Sequence, residues 1–77
     1  MREYTATFFS HFGALSYFDA LKNQNITAQL MPVPRSVSAS CGTCVFYAFF
    51  SPVDKDDCEL DSVYVKINGK WDCVLKK

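Results

Sequence analysis

Apolar residues gather in short stretches separated by residues that favour turns, and the spacing within each stretch names its element. Tyr4 to Phe9, rich in Thr and aromatics, predicts a first strand that ends at Ser10, a good helix N-cap. From about His11 to Asn23, Ala14, Leu15, Phe18 and Leu21 recur at spacings that share one helical face, while Asp19, Lys22 and Asn23 fall elsewhere. Gly13 weakens the first turn of that helix. Asn23-Gln24-Asn25 ends it, with Asn25 suited to the left-handed conformation that glycine usually takes. Ile26 to Val33 alternates loosely and carries Pro32, with Pro34 just beyond. Proline donates no ladder hydrogen bond, so this strand belongs at a sheet edge or ends near Met31.

Cys44 to Phe50 is apolar without alternation, the pattern of a strand covered on both faces. One helix covers only one face of a sheet, so the other face calls for a second subunit or a short helix further on. Ser51 to Leu60 is polar and acidic, broken by Pro52, and predicts a solvated turn or one short helix around Asp54, Asp56 and Asp57. Val63, Val65 and Ile67 then alternate with Tyr64 and Lys66. Asn68-Gly69 is a strong hairpin signal because both residues tolerate positive φ, and Trp71 to Leu75 closes the hairpin. The order is β-α-β-β-β-β in one domain spanning residues 1–77. It is an α+β fold with a mostly antiparallel sheet, one principal helix on one face and a C-terminal hairpin, nearest to a ferredoxin-like arrangement with a short or missing second helix.

Composition narrows the functional classes. A chain of 77 residues with 49% hydrophobic residues and 16% aromatics supports a compact core near the size where stability is marginal, which oligomerisation would relieve. Eight basic and eight acidic residues leave zero formal charge, so no electrostatic footprint for a nucleic acid or an anionic membrane is present. No apolar run has the length of a membrane helix or signal core, and a cytoplasmic setting is expected. There the four cysteines, Cys41, Cys44, Cys58 and Cys73, read as thiols rather than as a disulfide framework.

Candidate chemistry converges on the loop from Pro34 to Thr43, where Cys41-Gly42-Thr43-Cys44 forms a CxxC pair. A thioredoxin-type dithiol opens a helix, whereas this motif opens a strand, which argues against that class. A structural zinc needs two further ligands, and Cys58, Cys73 and His11 offer no specific spacing; no metal or cofactor is expected. A Cys41/His11 hydrolase lacks an identifiable orienting group. A nucleophilic carrier needs one thiolate that takes up a sulfur or selenium atom and passes it on. Ser36, Ser38, Ser40, Gly42 and Thr43 are small and can turn N–H groups or hydroxyls toward a sulfur anion, and Arg35 can add positive charge. The plain alternative is a flexible turn with both cysteines as small buried hydrophobes. Cys73, alternating with Trp71 and Leu75, reads as core, and Cys58 lies in an acidic run that disfavours its thiolate.

Thr5-Ala6-Thr7-Phe8-Phe9-Ser10-His11, the helix with Ala14-Leu15 and Ala20-Leu21-Lys22, and above all Leu30-Met31-Pro32-Val33-Pro34-Arg35 followed by Ser38-Ala39-Ser40-Cys41-Gly42 resemble the small bacterial selenium/sulfur carrier-like domains. The resemblance covers roughly residues 2 to 50 and weakens beyond Phe50, where that family has a fuller second helix. It implies a cysteine, here Cys41, that carries sulfur or selenium between a donor of the cysteine desulfurase type and an acceptor protein, with the family's Pro-Arg at Pro34-Arg35. Such a protein is a carrier rather than a turnover enzyme, sulfurtransferase-like if an enzyme at all. Cys44 modifies this reading, since a neighbouring thiol can attack a Cys41 persulfide, release sulfide and leave a disulfide. The alternative is a small dimeric thiol-redox or interaction module with a reversible Cys41–Cys44 disulfide and no transfer.

Overall fold

In the computed structural model, which describes residues 1–35, 37 and 42–77, with Asp56 by its backbone alone, the described elements form one antiparallel sheet with a helix on one face. They are β1 (Arg2–Phe8), α1 (His11–Asn23), β2 (Ala28–Pro32), β3 (Thr43–Phe49), a 3₁₀ turn (Asp56–Cys58), β4 (Leu60–Ile67) and β5 (Lys70–Lys76). The strand order is β2-β3-β1-β4-β5. Because β1 and β2 both run antiparallel to β3, they are parallel to each other and joined through α1, a split βαβ unit. The first four strands have the ferredoxin-like order, the 3₁₀ turn stands where a second helix would lie, and β5 extends the sheet beyond β4. Each predicted strand is present, and β2 is at the edge as its prolines require.

The expected local signals act as anticipated. Ser10 caps α1, its hydroxyl oxygen accepting from Gly13 N–H at 3.1 Å. Asn25 adopts φ 60°, and Asn68 and Gly69 adopt φ 53° and 79° in the β4–β5 turn.

The helix presents Gly13, Ala14, Tyr17 and Leu21 to the sheet, which differs from the face expected from Ala14, Leu15, Phe18 and Leu21. The cause is a close approach. A Cβ on Gly13 would meet the backbone carbonyl oxygen of Cys58, so the missing side chain lets the 3₁₀ turn press onto the first helical turn. That contact turns Tyr17 inward and leaves Leu15 39% exposed. Tyr17 packs on Phe8 and Tyr47, and its hydroxyl donates to the Val53 carbonyl at 2.7 Å while Val53 N–H donates to the Tyr47 hydroxyl at 2.9 Å. The two phenols thus satisfy both backbone groups of Val53 and hold the β3–β4 connection over the core.

Strand register separates two faces. Leu30, Val45, Ala6, Val63 and Leu75 form one row across all five strands on the helix side, and Ala28, Tyr47, Tyr4 and Val65 lie in the next. On the open side Gln29, Phe46, Thr5, Tyr64 and Cys73 form one row, and Met31, Cys44, Thr7, Ser62 and Lys76 another. Within the chain β3 is covered by α1 on one face, as a single helix allows, and the 3₁₀ turn packs against α1 rather than on the open face. On the open face Phe46 and Trp71 reach across the intervening strands and meet edge to face at 6.2 Å. Thr5 lies in the row of Phe46, 1% exposed, its hydroxyl without a hydrogen-bond partner among the described residues.

Cys73 is exposed, contrary to the core position read from its alternation with Leu75. A bulge opposite Val63 and Tyr64 sets Leu75 against Val63 but Cys73 against Tyr64, so the two residues lie on opposite faces.

Candidate functional site

One end of the sheet collects the termini that frame the cysteine loop. β1 and β2 finish there, β3 and β4 begin there, and α1 starts immediately after β1. The loop between β2 and β3 is held at its base by the Pro32–Thr43 and Met31–Cys44 pairs and by a hydrogen bond from Val33 N–H to the Gly42 carbonyl at 3.2 Å. Within it, Val37 N–H donates to the Pro34 carbonyl at 3.1 Å and the Val37 side chain is buried, which pins the first part of the loop to the domain. Cys41, Ser36, Ser38 and Ser40 lie outside the described residues.

The described members of the expected site divide by environment. Arg35 is exposed and Thr43 half-buried. Gly42 is exposed, and none of the other described residues comes within 4 Å of a side chain added there, so packing against them does not demand a glycine. The Thr43 hydroxyl lies 3.1 Å from His11 Nδ1; one of the two donates according to the imidazole tautomer. That bond ties the exit of the loop to the first residue of α1.

Cys44 is a different kind of thiol from the one expected of a reactive pair. It points to the open side between Met31 and Thr7, is fully buried, and its Sγ donates to the Pro32 carbonyl at 3.6 Å. Burial pushes its thiol up to about 11, so at neutral pH it is protonated. Cys58 is also buried, its Sγ donating to Asp57 Oδ1 at 3.7 Å, and burial first, then the Asp57 charge, pushes its thiol up. The direction matches the expectation for Cys58, but the larger cause is packing under α1. Among the described residues no three His, Cys, Asp or Glu side chains gather as a metal-holding group. No helix among them is long and apolar enough to cross a membrane.

The start of α1 is further organised by Glu59. It takes a left-handed conformation at φ 52°, its carboxylate accepts from the Ser10 hydroxyl at 2.7 Å, and its carbonyl accepts from Phe9 N–H at 2.9 Å. The segment after β3 therefore helps to position His11 and, through it, Thr43.

A comparison with known families now has a structure to refer to. Residues 3–59 match the family described as "Putative Se/S carrier protein-like". The chain belongs to this family. The match runs past Phe50, where the sequence resemblance weakens, to Glu59, and so takes in the 3₁₀ turn and the residue that braces the helix start. In this carrier-like protein the hairpin of β4 and β5 lies wholly outside the matched span. No curated protein and no solved structure matches the chain.

Of the residues around the loop, sequence reasoning set His11 aside as a zinc ligand of unspecific spacing and a hydrolase partner without an orienting group. The structure keeps it exposed but joins it to Thr43, 32 positions away, a contact with no local signal.

Proposed function

We propose that this carrier-like protein accepts a sulfur or selenium atom on Cys41 as a persulfide or perselenide and passes it to an acceptor protein. The observation that carries this reading is the family match across the whole cysteine loop together with the exposure of Gly42, the residue after Cys41. Cys41 is one peptide bond from Gly42, and a donor cysteine must bring its outer sulfur to bonding distance of the Cys41 thiolate. In the transfer, the thiolate attacks the outer sulfur of the donor's persulfide. An S–S bond forms on Cys41, the donor's S–S bond breaks, and the donor cysteine leaves as a thiolate, with no net oxidation or reduction. Delivery to the acceptor is the same displacement with the roles exchanged.

In this reading Arg35, the small side chains of Ser38 and Ser40, and the Gly42–Thr43 stem favour the anion on Cys41. The donor is of the cysteine desulfurase type, and the setting is the cytoplasm. Cys44 acts less as a resolving thiol than as a reserve. Attack on a Cys41 persulfide would require it to leave its buried site and lose a proton that burial holds tightly. The same obstacle stands before a module that works by a reversible Cys41–Cys44 disulfide.

The test is whole-protein mass spectrometry after incubation with a cysteine desulfurase and cysteine. A gain of one sulfur is expected in the wild type and in Cys44→Ser, and none in Cys41→Ser. A persistent gain in Cys41→Ser would place the reaction elsewhere.

The open sheet face with Phe46 and Trp71 is proposed as the contact of a homodimer. Sedimentation at micromolar concentration should give a dimer that Trp71→Ala dissociates. A monomeric wild type would contradict this.

A further inference from the structure

The end of the sheet that carries the cysteine loop also carries the large exposed side chains Phe9 and Phe12. Phe9 is 53% exposed just beyond β1, and Phe12 is 73% exposed on the outer side of the first helical turn. Both leave a large aromatic surface in water at the end of the sheet that frames the loop, where a partner can bury it. They differ from the aromatics of the open face, where Phe46 and Trp71 pack against each other and are only half-exposed.

We infer that Phe9 and Phe12 form the surface on which a protein donor of sulfur docks while its persulfide reaches Cys41. The inference rests on the carrier reading and adds to it the location of the partner. Geometry supplies the occupant. A specific protein interface covers about 800 Å² of each partner, which as a disc has a radius of about 16 Å. A donor whose sulfur bonds to Cys41 must centre such a footprint near the loop.

From Gly42, which follows Cys41 in the chain, the path to Phe12 is short. It runs one residue to Thr43, across the hydrogen bond to His11, and one residue on. Phe9 leaves β1 at the sheet end where Gly42 enters β3. The chain has zero formal charge, so long-range steering offers little, and desolvated aromatic anchors are the means of attachment that remain. The exposed Arg35 at the other side of the loop suits the anionic persulfide group that the donor presents.

Two sulfur sources separate docking from chemistry. A cysteine desulfurase charged with cysteine must dock, whereas inorganic polysulfide reaches the thiolate without an interface. For Phe12→Ser, and more strongly for Phe9→Ser with Phe12→Ser, sulfur gain from the desulfurase should slow by about tenfold or more, the effect of losing an aromatic anchor. Gain from polysulfide should be unchanged. Phe50→Ser is the control, since Phe50 is equally exposed at 73% but lies at the opposite end of β3; it should behave as the wild type with both sources.

Desulfurase transfer unchanged in the double variant would overturn the inference. So would equal slowing with both sources, or a wild type that polysulfide loads and the desulfurase does not. A wild type that neither source loads on Cys41 would instead remove the carrier reading itself.

Discussion

Gly13→Ala should lower the stability of the domain by about 2 kcal/mol, although the same change in an exposed helix raises stability by up to about 1 kcal/mol through helix propensity. The sign decides between the two. The added methyl would fall inside the contact distance of the Cys58 carbonyl oxygen, a backbone atom of the 3₁₀ turn that cannot rotate away as a flexible side chain would. Overpacking of this kind costs about 1–3 kcal/mol.

The damage spreads because Glu59 follows Cys58 directly. Displacing the turn pulls the Glu59 carboxylate from Ser10 and its carbonyl from Phe9, which undoes the helix start. For a chain of this size each kcal/mol moves the thermal midpoint by about 4–8 °C, so a fall of about 8–16 °C is expected by circular dichroism. An unchanged or higher midpoint would mean that the turn does not press on the helix as described.

A second large effect concerns Cys44. Its thiol is pushed up to about 11 from 9.0 by burial, so at pH 8 it holds about 100-fold less thiolate than the same residue in the unfolded chain. A charged alkylating reagent at that pH should modify the exposed Cys73 in the native protein and reach Cys44 only after denaturation, a slowing of at least about 100-fold that peptide mapping reads directly.

The same shift ties stability to pH. The native thiol keeps its proton more tightly than the unfolded one, so the stabilisation is complete below pH 9 and is lost as the pH rises toward 11, by about 1.4 kcal/mol per unit. Burial raises the Tyr17 phenol as well, in the same destabilising direction at alkaline pH. Denaturant midpoints should therefore fall between pH 9 and 11, and less so in Cys44→Ala. Rapid native labelling of Cys44, or a midpoint flat across that range, would show the thiol to be accessible.

What the sequence discloses and what it conceals follow from the range of each interaction. The helix limits, the Asn25 exit and the Asn68-Gly69 hairpin are legible because caps and positive-φ residues act within a few positions. The inward face of α1 is misjudged by about one residue because Gly13 answers to Cys58, 45 positions later, and no local periodicity records that pressure. Cys73 is misplaced because one bulge in the β4–β5 ladder reverses the alternation on which the reading depends.

At the candidate site, the Pro-Arg and Ser-Cys-Gly motifs are visible in the chain and lead to the family. The character of Cys44 is only half visible. Spacing pairs it with Cys41, yet Cys44 takes its place in β3 and turns to the open face between Met31 and Thr7. The bond between His11 and Thr43 depends on the helix start and the loop exit meeting at one end of the sheet, which only the strand order establishes.

The central claim is that Cys41 alone carries the cargo. It is tested most directly by mapping the added sulfur in the wild-type chain after a short incubation with a cysteine desulfurase and cysteine, with thiols and persulfides trapped before digestion. The account predicts the extra sulfur on the peptide at Cys41 and free thiols at Cys44, Cys58 and Cys73. Sulfur on one of those three cysteines in place of Cys41, or on no cysteine at all, would contradict it.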